Sequence, residues 1–343
     1  MFEGELAREA MFYSYDQEKD RVLCELCPHN CHIKEGKKGK CGVREHREGK
    51  LITLNYGEVS SSALDPIEKK PLYHFYPGHE IFSIGTVGCN FSCSFCQNWA
   101  IAQDFEGVDT MSLTPEDVLE IMDKKIPLDR RLGVAYTYNE PTIWYEFIYD
   151  TAQLIHKKDM KNVLVTNGFI NKEPLEKLLP YIDAMNIDVK GFTEEFYKKY
   201  CGGRLEPVKE ILERVHSHCH VEVTNLLIPG LNDSQEEIEG LVEWIARVNP
   251  HIPLHFSRYF PCYKMDLPPT PVETLVKAKE MADKKLSYVY LGNVRDTDAG
   301  HTNCPNCGDV VIRRAGSLIK NLGVEGKNCK FCGGKIHITG EVK

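Results

Sequence analysis

Short apolar runs alternate with amphipathic segments along the middle of the chain, residues 81–293. The apolar runs have the length and the turn-residue boundaries of strands covered by helices. Seven such runs occur, namely IFSIGTV, GVAYTY, NVLVTN, AMNIDV, VEVTNLLI, PLHFSRY and YVYL. Helix signals lie between them: Thr114 precedes Pro115 and two acidic residues, and Ser234 precedes another acidic turn. The alternation predicts an α/β fold with a parallel sheet, either doubly wound or closed as a barrel.

Both ends of the chain lack this rhythm and carry clustered cysteines instead. Residues 1–80 show little helical periodicity and read as loops around CELCPHNCHIKEGKKGKC. Residues 294–343 contain two C-x-x-C motifs, each followed by glycine. Segments this small bury little core, so we expect a metal to stabilise them. The pattern predicts an N-terminal Cys-rich module (1–80), a β–α core (81–293) and a C-terminal zinc-ribbon-like module (294–343).

Composition narrows the class of protein. The 343 residues are 42% hydrophobic and 27% charged, as in ordinary globular proteins. The net charge of -8 argues against a general binder of nucleic acid or membrane surfaces, since both favour basic surfaces. The amino terminus lacks the apolar run of a signal peptide, and no apolar stretch is long enough to cross a bilayer. We therefore expect a cytoplasmic protein.

Cysteine is abundant and clustered, with fourteen residues in the chain. A reducing compartment disfavours disulfides, so clusters at ligand spacing indicate metal binding. Three scattered cysteines are expected to be buried or incidental thiols: Cys201, Cys219 and Cys262. The other eleven form three clusters: Cys24, Cys27, Cys31 and Cys41; Cys89, Cys93 and Cys96; and Cys304, Cys307, Cys329 and Cys332.

The middle cluster has only three cysteines, and it directly follows the first predicted strand. In a barrel, functional groups lie at the carboxyl ends of the strands. Thiolates normally cap all four irons of a cubane cluster, so three thiolates leave one iron open to another ligand. A reduced cluster beside a bound sulfonium compound can split a carbon–sulfur bond and generate an adenosyl radical. The alternative is a zinc site completed by His79 or by a cysteine of another cluster.

The C-x-x-x-C-x-x-C spacing, with Phe95 before the last cysteine, resembles the radical S-adenosylmethionine (SAM) superfamily. The resemblance implies a partial (β/α)6-type parallel barrel and a 4Fe–4S cluster on Cys89, Cys93 and Cys96. SAM would chelate the fourth iron through its amino and carboxylate groups. The implied activity is that of an oxidoreductase: reductive cleavage of SAM to a 5′-deoxyadenosyl radical, which abstracts hydrogen from an unidentified substrate. A ferredoxin or flavodoxin would donate the electron, and no catalytic side chain is identified.

Similarity to the pyruvate formate-lyase activating enzymes suggests residues that contact SAM. Asn139 and Glu140 follow the second strand, where a carboxylate can pair with the SAM ammonium group. The alternative role for Glu140, which precedes Pro141, is to cap the next helix. Thr166 and Asn167 are expected near the ribose.

The later strands contribute further candidates by the same similarity. Asp188 and Lys190 approach SAM from the fourth strand, with Lys190 as a point charge for the SAM carboxylate. Thr224 stands where the activating enzymes carry an arginine for that carboxylate. Arg258, at the end of the sixth strand, is expected to reach the adenosyl group.

Several motifs together resemble one subgroup, the radical SAM enzymes of the AmmeMemoRadiSam system. They are CELCPHNC, GKCGVRE, PLHFSRYFPCYKM with the later PPTP, and YVYLGN leading into CPNCG. The subgroup takes its name from co-occurrence with Memo-like and AMMECR-like proteins, so the resemblance implies these two as partners. It extends from about residue 20 to the end of the chain, and it does not identify the substrate.

The two outer clusters leave the choice of metal open. The C-terminal four cysteines are interpreted as a tetrahedral zinc site, with an auxiliary iron–sulfur cluster as the rival. For the N-terminal four we favour structural zinc. A second cluster, or a site completed by His29 or His32, remains an alternative, because both kinds of site use thiolates.

Two other functions are compatible with parts of the sequence. Similarity in the core supports a glycyl-radical enzyme activase that acts on a protein. A non-catalytic, zinc-stabilised protein that binds RNA or a partner would also use cysteine modules, and it would be redox-silent. The β–α series, with Glu140, Lys190 and Arg258 in register at strand ends, argues against this last function.

Overall fold

The computed structural model describes residue 4 and residues 6–294, 298–316 and 318–343. Its core is a sheet of eight strands whose order in space follows their order in the chain. The strands are β1 (Ser61–Pro66), β2 (Glu80–Gly85), β3 (Gly133–Tyr136), β4 (Lys161–Thr166), β5 (Ala184–Asp188), β6 (His220–Leu227), β7 (Leu254–Arg258) and β8 (Val289–Gly292). Strands β2–β8 are parallel, and β1 pairs antiparallel with β2. The seven predicted strands are confirmed, whereas β1 was not predicted.

Helices follow most of the parallel strands. They are α1 (Pro115–Lys125), α2 (Tyr145–His156), α3 (Lys172–Leu178), α4 (Leu205–Val215), α5 (Gln235–Val248) and α6 (Val272–Ala282). The hydroxyl of Thr114 accepts a 3.1 Å hydrogen bond from the Asp117 amide, and the Asp117 carboxylate accepts one of 2.8 Å from the Thr114 amide. This capping box, and the Ser234 cap of α5, confirm the predicted helix starts. No described helix has the length and apolar character needed to cross a bilayer.

Shorter helical segments complete the chain. A short helix spans Trp99–Ala102, another spans Glu194–Phe196, and a π-helical turn at Tyr197–Cys201 follows it. Tight 3₁₀ turns lie at Ile67–Lys69, Leu128–Arg130, Pro141–Trp144, Leu179–Tyr181 and Asp298–Gly300.

The two faces of the parallel sheet have different surroundings because side chains alternate along a strand. Phe82 and Leu164 belong to the main hydrophobic core that includes the helices. Positions of the opposite parity are more polar, and register places them side by side. Asp188 of β5 is opposite Thr224 of β6. Ser257 of β7 is opposite Leu226, which is on the same face of β6 as Thr224. On this face, polar side chains therefore adjoin one another across β5, β6 and β7.

The N-terminal region contains short strands where loops were expected. One three-stranded sheet consists of Arg8–Glu9, Lys50–Thr53 and Arg44–Arg47. A second consists of Tyr13–Asp16, Arg21–Cys24 and His32–Lys34. A further pair joins Glu58–Val59 to Met111–Ser112. These strands are too short and too polar for their periodicity to be visible in the sequence.

A buried ion pair attaches this region to the core. Arg44 and Glu146 of α2 are 2.6 Å apart, and both side chains are 1% exposed. The core sheet also takes β1 from the N-terminal side of the boundary expected at residue 80. Parts of the two terminal modules, residues 1–3, 5, 295–297 and 317, lie outside the described residues.

The C-terminal region has a small core of its own. Thr302–Asn303, Val310–Ala315 and Leu318–Asn321 form an antiparallel sheet, and Val324–Glu325 pairs with Asn328–Cys329. Buried Val311, Ile312, Ile336 and Ile338 pack together with Cys304 and Cys329. The module contacts the core through His74, whose Nδ1 lies 2.8 Å from the His337 carbonyl oxygen.

Candidate active site

A cleft of about 520 Å³ lies at the polar face of the sheet and reaches the carboxyl ends of the parallel strands. All three cysteines of the middle cluster line it. Six of the seven SAM-site residues expected from the sequence line the same cleft: Asn139, Glu140, Thr166, Asn167, Asp188 and Lys190. Its volume falls within the range of small-molecule sites, about 300–1,000 Å³.

The loop that carries the cysteine triplet is held by asparagine side chains. Asn139 donates a 2.7 Å hydrogen bond to the Gly88 carbonyl, and its own oxygen accepts from the Thr86 amide at 3.3 Å. Asn167 donates at 2.8 Å to the side-chain oxygen of Asn90. The side chains of Asn139 and Asn167 are therefore engaged in positioning the loop.

The spacing of the three thiols suits a polynuclear cluster. The three sulfurs of Cys89, Cys93 and Cys96 do not all lie within 4.8 Å of one another, as the ligands of a single ion would. In an iron–sulfur cubane each thiolate binds a different iron, which requires wider spacing. Burial raises the pKa of Cys96 to about 11, so a bound metal is needed to keep this thiol deprotonated near neutral pH.

Cys201, which the sequence suggested was incidental, lies beside the triplet. The amide of Ser92 donates a 2.8 Å hydrogen bond to the Cys201 carbonyl. A hydrogen bond from the Cys201 side chain lowers the pKa of Cys93. Cys201 ends a π-helical turn, a feature that is frequent at functional sites. Nothing in its sequence spacing pairs it with Cys93.

Glu140 is 2% exposed and forms part of the cleft wall. Its Oε1 accepts hydrogen bonds from the Thr142 amide at 2.9 Å and from the Thr166 hydroxyl at 2.7 Å. Its Oε2 accepts one from the Asn167 amide at 2.8 Å. The carboxylate thus caps the following turn, as the alternative interpretation expected, and it also retains acceptor capacity at Oε2. Burial raises the pKa of Glu140.

Asp188 and Lys190 form an ion pair inside the cleft, with their charged atoms 2.6 Å apart. Burial opposes the charge of Lys190, but the carboxylate of Asp188 and the nearby Cys93 together raise its pKa above the usual value. Lys190 is therefore a fixed positive charge near the triplet. Thr224 lines the same wall and donates its hydroxyl hydrogen to the side chain of Asn186 at 3.0 Å.

Arg258 is not among the residues that line the cleft. Its Nε donates a 2.7 Å hydrogen bond to the Thr270 carbonyl, and its guanidinium lies 5.0 Å from the centre of the Phe260 ring. The preceding residue, Ser257, faces the cleft instead.

Sequence reasoning missed a charged group at the β1 side of the cleft. Asp65 of β1 and the two lysines that follow it, Lys69 and Lys70, all line the cleft. The Tyr138 hydroxyl donates a 3.0 Å hydrogen bond to Asp65. Tyr138 has a φ of 72°, a left-handed conformation that glycine adopts more easily. Only the pairing of β1 with the core brings these residues to the cleft.

The sulfurs of the C-terminal four cysteines are close together. Those of Cys304 and Cys332 are 3.6 Å apart, and those of Cys307 and Cys329 are 3.8 Å apart. Four thiolates at about 2.3 Å from one tetrahedral ion have edges of about 3.8 Å. All four sulfurs lie within 4.8 Å of one another, so they fit a single ion.

Comparison with known proteins agrees with this geometry. A family model described as the radical SAM superfamily matches residues 83–245. An uncharacterized protein of Methanocaldococcus jannaschii is 46% identical over 340 residues, which cover 97% of this chain and 99% of that protein. The 4-hydroxyphenylacetate decarboxylase activating enzyme of Clostridium scatologenes is 22% identical over 167 residues, 44% of this chain and 54% of the enzyme.

A solved domain of the pyruvate-formate lyase-activating enzyme from Bacteroides vulgatus has a TM-score of 0.42 and 20% identity. It covers 47% of this chain and 99% of its own. The residues matched by the family model include the cysteine triplet, Glu140 and Lys190. The chain belongs to the radical SAM superfamily and is an enzyme of the radical SAM oxidoreductase type.

Proposed function

We propose that Cys89, Cys93 and Cys96 bind a 4Fe–4S cluster and that the cleft binds SAM beside it. The observation that carries the proposal is that these thiols share one cleft with Glu140 and Lys190. When bound, the cluster and SAM supply one low-potential electron and a carbon–sulfur bond whose cleavage gives a 5′-deoxyadenosyl radical that abstracts hydrogen from a substrate.

The protein's own residues bind and orient these groups. Glu140 offers its free acceptor capacity at Oε2 to the SAM ammonium group, and Lys190 offers a positive charge to the SAM carboxylate. Thr166 and Asn167 act through Glu140 and the triplet loop, because their polar atoms already bind these two elements. Asp188 holds the Lys190 ammonium in place, and Asn139 holds the backbone that precedes Cys89.

The expected barrel and modules form part of the same proposal. One cleft is lined by residues from β1 and its following turn and also by Ser257 of β7, which supports a sheet that curves around the cleft. The strand order ends at β1 and β8, as in a partial barrel that leaves one side open. The terminal modules flank this barrel, with boundaries near residues 80 and 294, except that β1, from the N-terminal side of the first boundary, belongs to the barrel sheet. Sulfur distances of 3.6 and 3.8 Å support zinc in the C-terminal module.

A second candidate is activation of a partner protein by forming a glycyl radical. Similarity to the 4-hydroxyphenylacetate decarboxylase activating enzyme favours it. The motifs shared with the AmmeMemoRadiSam system instead favour Memo-like and AMMECR-like proteins as partners. In either case a ferredoxin or flavodoxin in the cytoplasm would supply the electron.

The experiment is anaerobic reconstitution with iron and sulfide, followed by reduction, addition of SAM and quantification of 5′-deoxyadenosine. We expect the wild-type protein to form deoxyadenosine and the Cys93→Ser variant to form none above background. Cys219→Ser is the matched control, since this half-buried thiol donates only to the Val215 carbonyl. Equal deoxyadenosine formation by Cys93→Ser and wild type would disprove the proposal.

A further inference from the structure

The N-terminal four cysteines converge on one another. The amide of Cys24 donates a 3.0 Å hydrogen bond to the Cys31 carbonyl, and a tight turn follows Cys27. The thiol of Cys27 interacts electrostatically with the other three, Cys41, Cys24 and Cys31. Cys24 and Cys27 are buried, and the other two are half-buried. The four thiols thus lie near one another, buried or half-buried.

Like the sulfurs of the triplet, and unlike those of the C-terminal site, the sulfurs of the N-terminal four are too far apart for a single ion. No three of these four sulfurs lie within 4.8 Å of one another, whereas all four C-terminal sulfurs do. Because the N-terminal and C-terminal sites belong to the same chain, their sulfur spacings can be compared directly. An iron–sulfur cluster with one iron per thiolate requires widely spaced sulfurs, whereas a single zinc ion requires closely spaced sulfurs.

The site directly contacts the loop that carries the catalytic triplet. The Nε2 atom of His29, which lies between Cys27 and Cys31, is 2.7 Å from the carbonyl oxygen of Asn90. A Cβ added to Gly88 would lie 2.7 Å from the carbonyl oxygen of Cys41. Gly88 and Asn90 flank Cys89, so the two cysteine loops are in van der Waals contact. His29 is engaged in this contact through Nε2.

A buried cation accompanies the four thiols. Arg44 is 1% exposed and interacts electrostatically with Cys24 and Cys41. Its terminal nitrogens bond to Glu146 and to the Met11 carbonyl, but its buried Nε has no hydrogen-bond partner. An unsatisfied buried N–H is costly unless a further acceptor is present. A cluster carrying thiolate and sulfide charge offers such an acceptor, and hydrogen bonds to sulfur raise its potential.

We propose that Cys24, Cys27, Cys31 and Cys41 bind a second iron–sulfur cluster, which relays electrons from an external carrier to the catalytic cluster. The relay rests on the proposed function, whereas the cluster itself does not. One electron leaves the carrier, reduces the N-terminal cluster by one electron, and then passes to the cluster on the triplet. No proton or atom is transferred in either step.

The surface beside the site favours an acidic carrier protein. Lys34, Lys37 and Lys40 are exposed in the segment between Cys31 and Cys41. They form a local basic stretch on a protein of net charge -8. Complementary charge accelerates the encounter of electron-transfer partners, and this acceleration weakens with salt.

The first test counts metal in anaerobically reconstituted protein. We expect about eight irons per chain in the wild type and about four in the triple variant Cys89→Ala/Cys93→Ala/Cys96→Ala. The reduced triple variant should show an electron paramagnetic resonance signal that SAM does not alter. Iron near zero with about two zincs per chain in the triple variant would overturn the second cluster. This readout does not depend on SAM cleavage, so it separates the inference from the proposed function.

The second test addresses the relay. In Cys27→Ala/Cys31→Ala, we expect deoxyadenosine formation to persist within about twofold with titanium(III) citrate and to fall at least tenfold with reduced flavodoxin. Lys34→Glu/Lys37→Glu, which changes only exposed side chains, should slow the flavodoxin-driven reaction alone. Equal losses with both reductants in the lysine variant, or no loss with flavodoxin in either variant, would overturn the relay. The lysine variant keeps the test decisive if the cysteine variant misfolds.

Discussion

Thr166 donates a 2.7 Å hydrogen bond from its hydroxyl to Oε1 of Glu140. The two residues lie at the carboxyl ends of adjacent strands β3 and β4, whose register brings the ends together. The Asn167 amide adds a second bond, to Oε2. The carboxylate is therefore oriented before any ligand binds, which reduces the ordering cost of binding a cation.

Replacing Glu140 by glutamine should weaken SAM binding without loss of iron. Glutamine keeps the shape and one acceptor oxygen but removes the negative charge. A hydrogen bond to a charged group is worth about 1.5–3 kcal/mol, so we expect the Kd for SAM to rise about tenfold to hundredfold. Anaerobic equilibrium binding and iron analysis measure the two effects. Glu243→Gln, on the exposed side of α5, is the control, and an unchanged Kd in Glu140→Gln would remove Glu140 from the SAM site.

Asn139→Ala should loosen the triplet loop. The variant loses the 2.7 Å bond to the Gly88 carbonyl and the 3.3 Å bond from the Thr86 amide. Losing a partner of a buried polar group costs about 1–3 kcal/mol, so iron release to a chelator should accelerate about tenfold. The control is Asn249→Ala, which removes only a 2.9 Å bond to the His251 amide beyond α5. Equal iron release from both variants would contradict a role for Asn139 in holding the loop.

The strands of the core were predictable because each parallel strand is a short apolar run bounded by turn residues. Strand β1 was not, since its sequence SSALDP has little apolar character and is recognised only through its pairing with β2. Asp65 and Lys70 reach the cleft through β1, so they were missed with it. The N-terminal strands were not predicted for a similar reason. A strand of two to four residues is too short to show an alternation of apolar and polar positions.

Site residues were predictable where a motif lies at the end of a strand. They were less predictable where tertiary contacts determine the direction of the side chain. Glu140 and Lys190 reach the cleft directly from their strands. Arg258 also ends a strand, but its side chain donates to the Thr270 carbonyl in the loop between β7 and α6. Cysteine spacing left the metal of the C-terminal module open, and the 3.6 Å distance between Cys304 and Cys332 now favours one ion.

His74 should make folding stability depend on pH. It is buried beside Glu222, His220, His337, Tyr288, Tyr290 and Arg314. Burial lowers the pKa of His74 to about 3, whereas the unfolded chain titrates near 6.5. As the pH falls below about 6.5, the unfolded state binds a proton at His74 and the folded state does not. The free energy of unfolding therefore decreases by about 1.4 kcal/mol per pH unit.

A comparison with His74→Gln isolates this effect. Glu222 does not interfere in this pH range. Burial opposes its charge, but hydrogen bonds from His220 and His255 lower its pKa. Its contribution to stability is therefore lost only as the pH falls below the pKa of the unfolded state, near 4.5. Between pH 6.5 and 5.0 the wild type should therefore lose about 2 kcal/mol more unfolding free energy than the variant. Anaerobic urea unfolding at the two pH values measures the difference. Parallel losses in the two proteins would show that His74 is protonated in the folded state.

Zinc in the C-terminal module should stabilise the tail without taking part in the chemistry. The small core of this module includes Cys304 and Cys329 themselves, so losing the ion removes its main support. In Cys304→Ala we expect loss of about one zinc per chain and rapid proteolysis within residues 298–343. Iron content and deoxyadenosine formation should remain within about twofold of wild type, and Cys219→Ser should change neither metal.

An iron–sulfur cluster in the C-terminal module would give a different result. If the C-terminal site held an iron–sulfur cluster, Cys304→Ala would lose iron and a visible absorbance band rather than zinc. Removing zinc from the wild type with a chelator offers an independent check, because it leaves every side chain intact. The hydroxyl of Tyr288, the residue before β8, lies 3.1 Å from Nδ1 of His337 and connects the module to that strand. Chelation should therefore also destabilise the edge of the sheet, which hydrogen exchange at β8 amides would report.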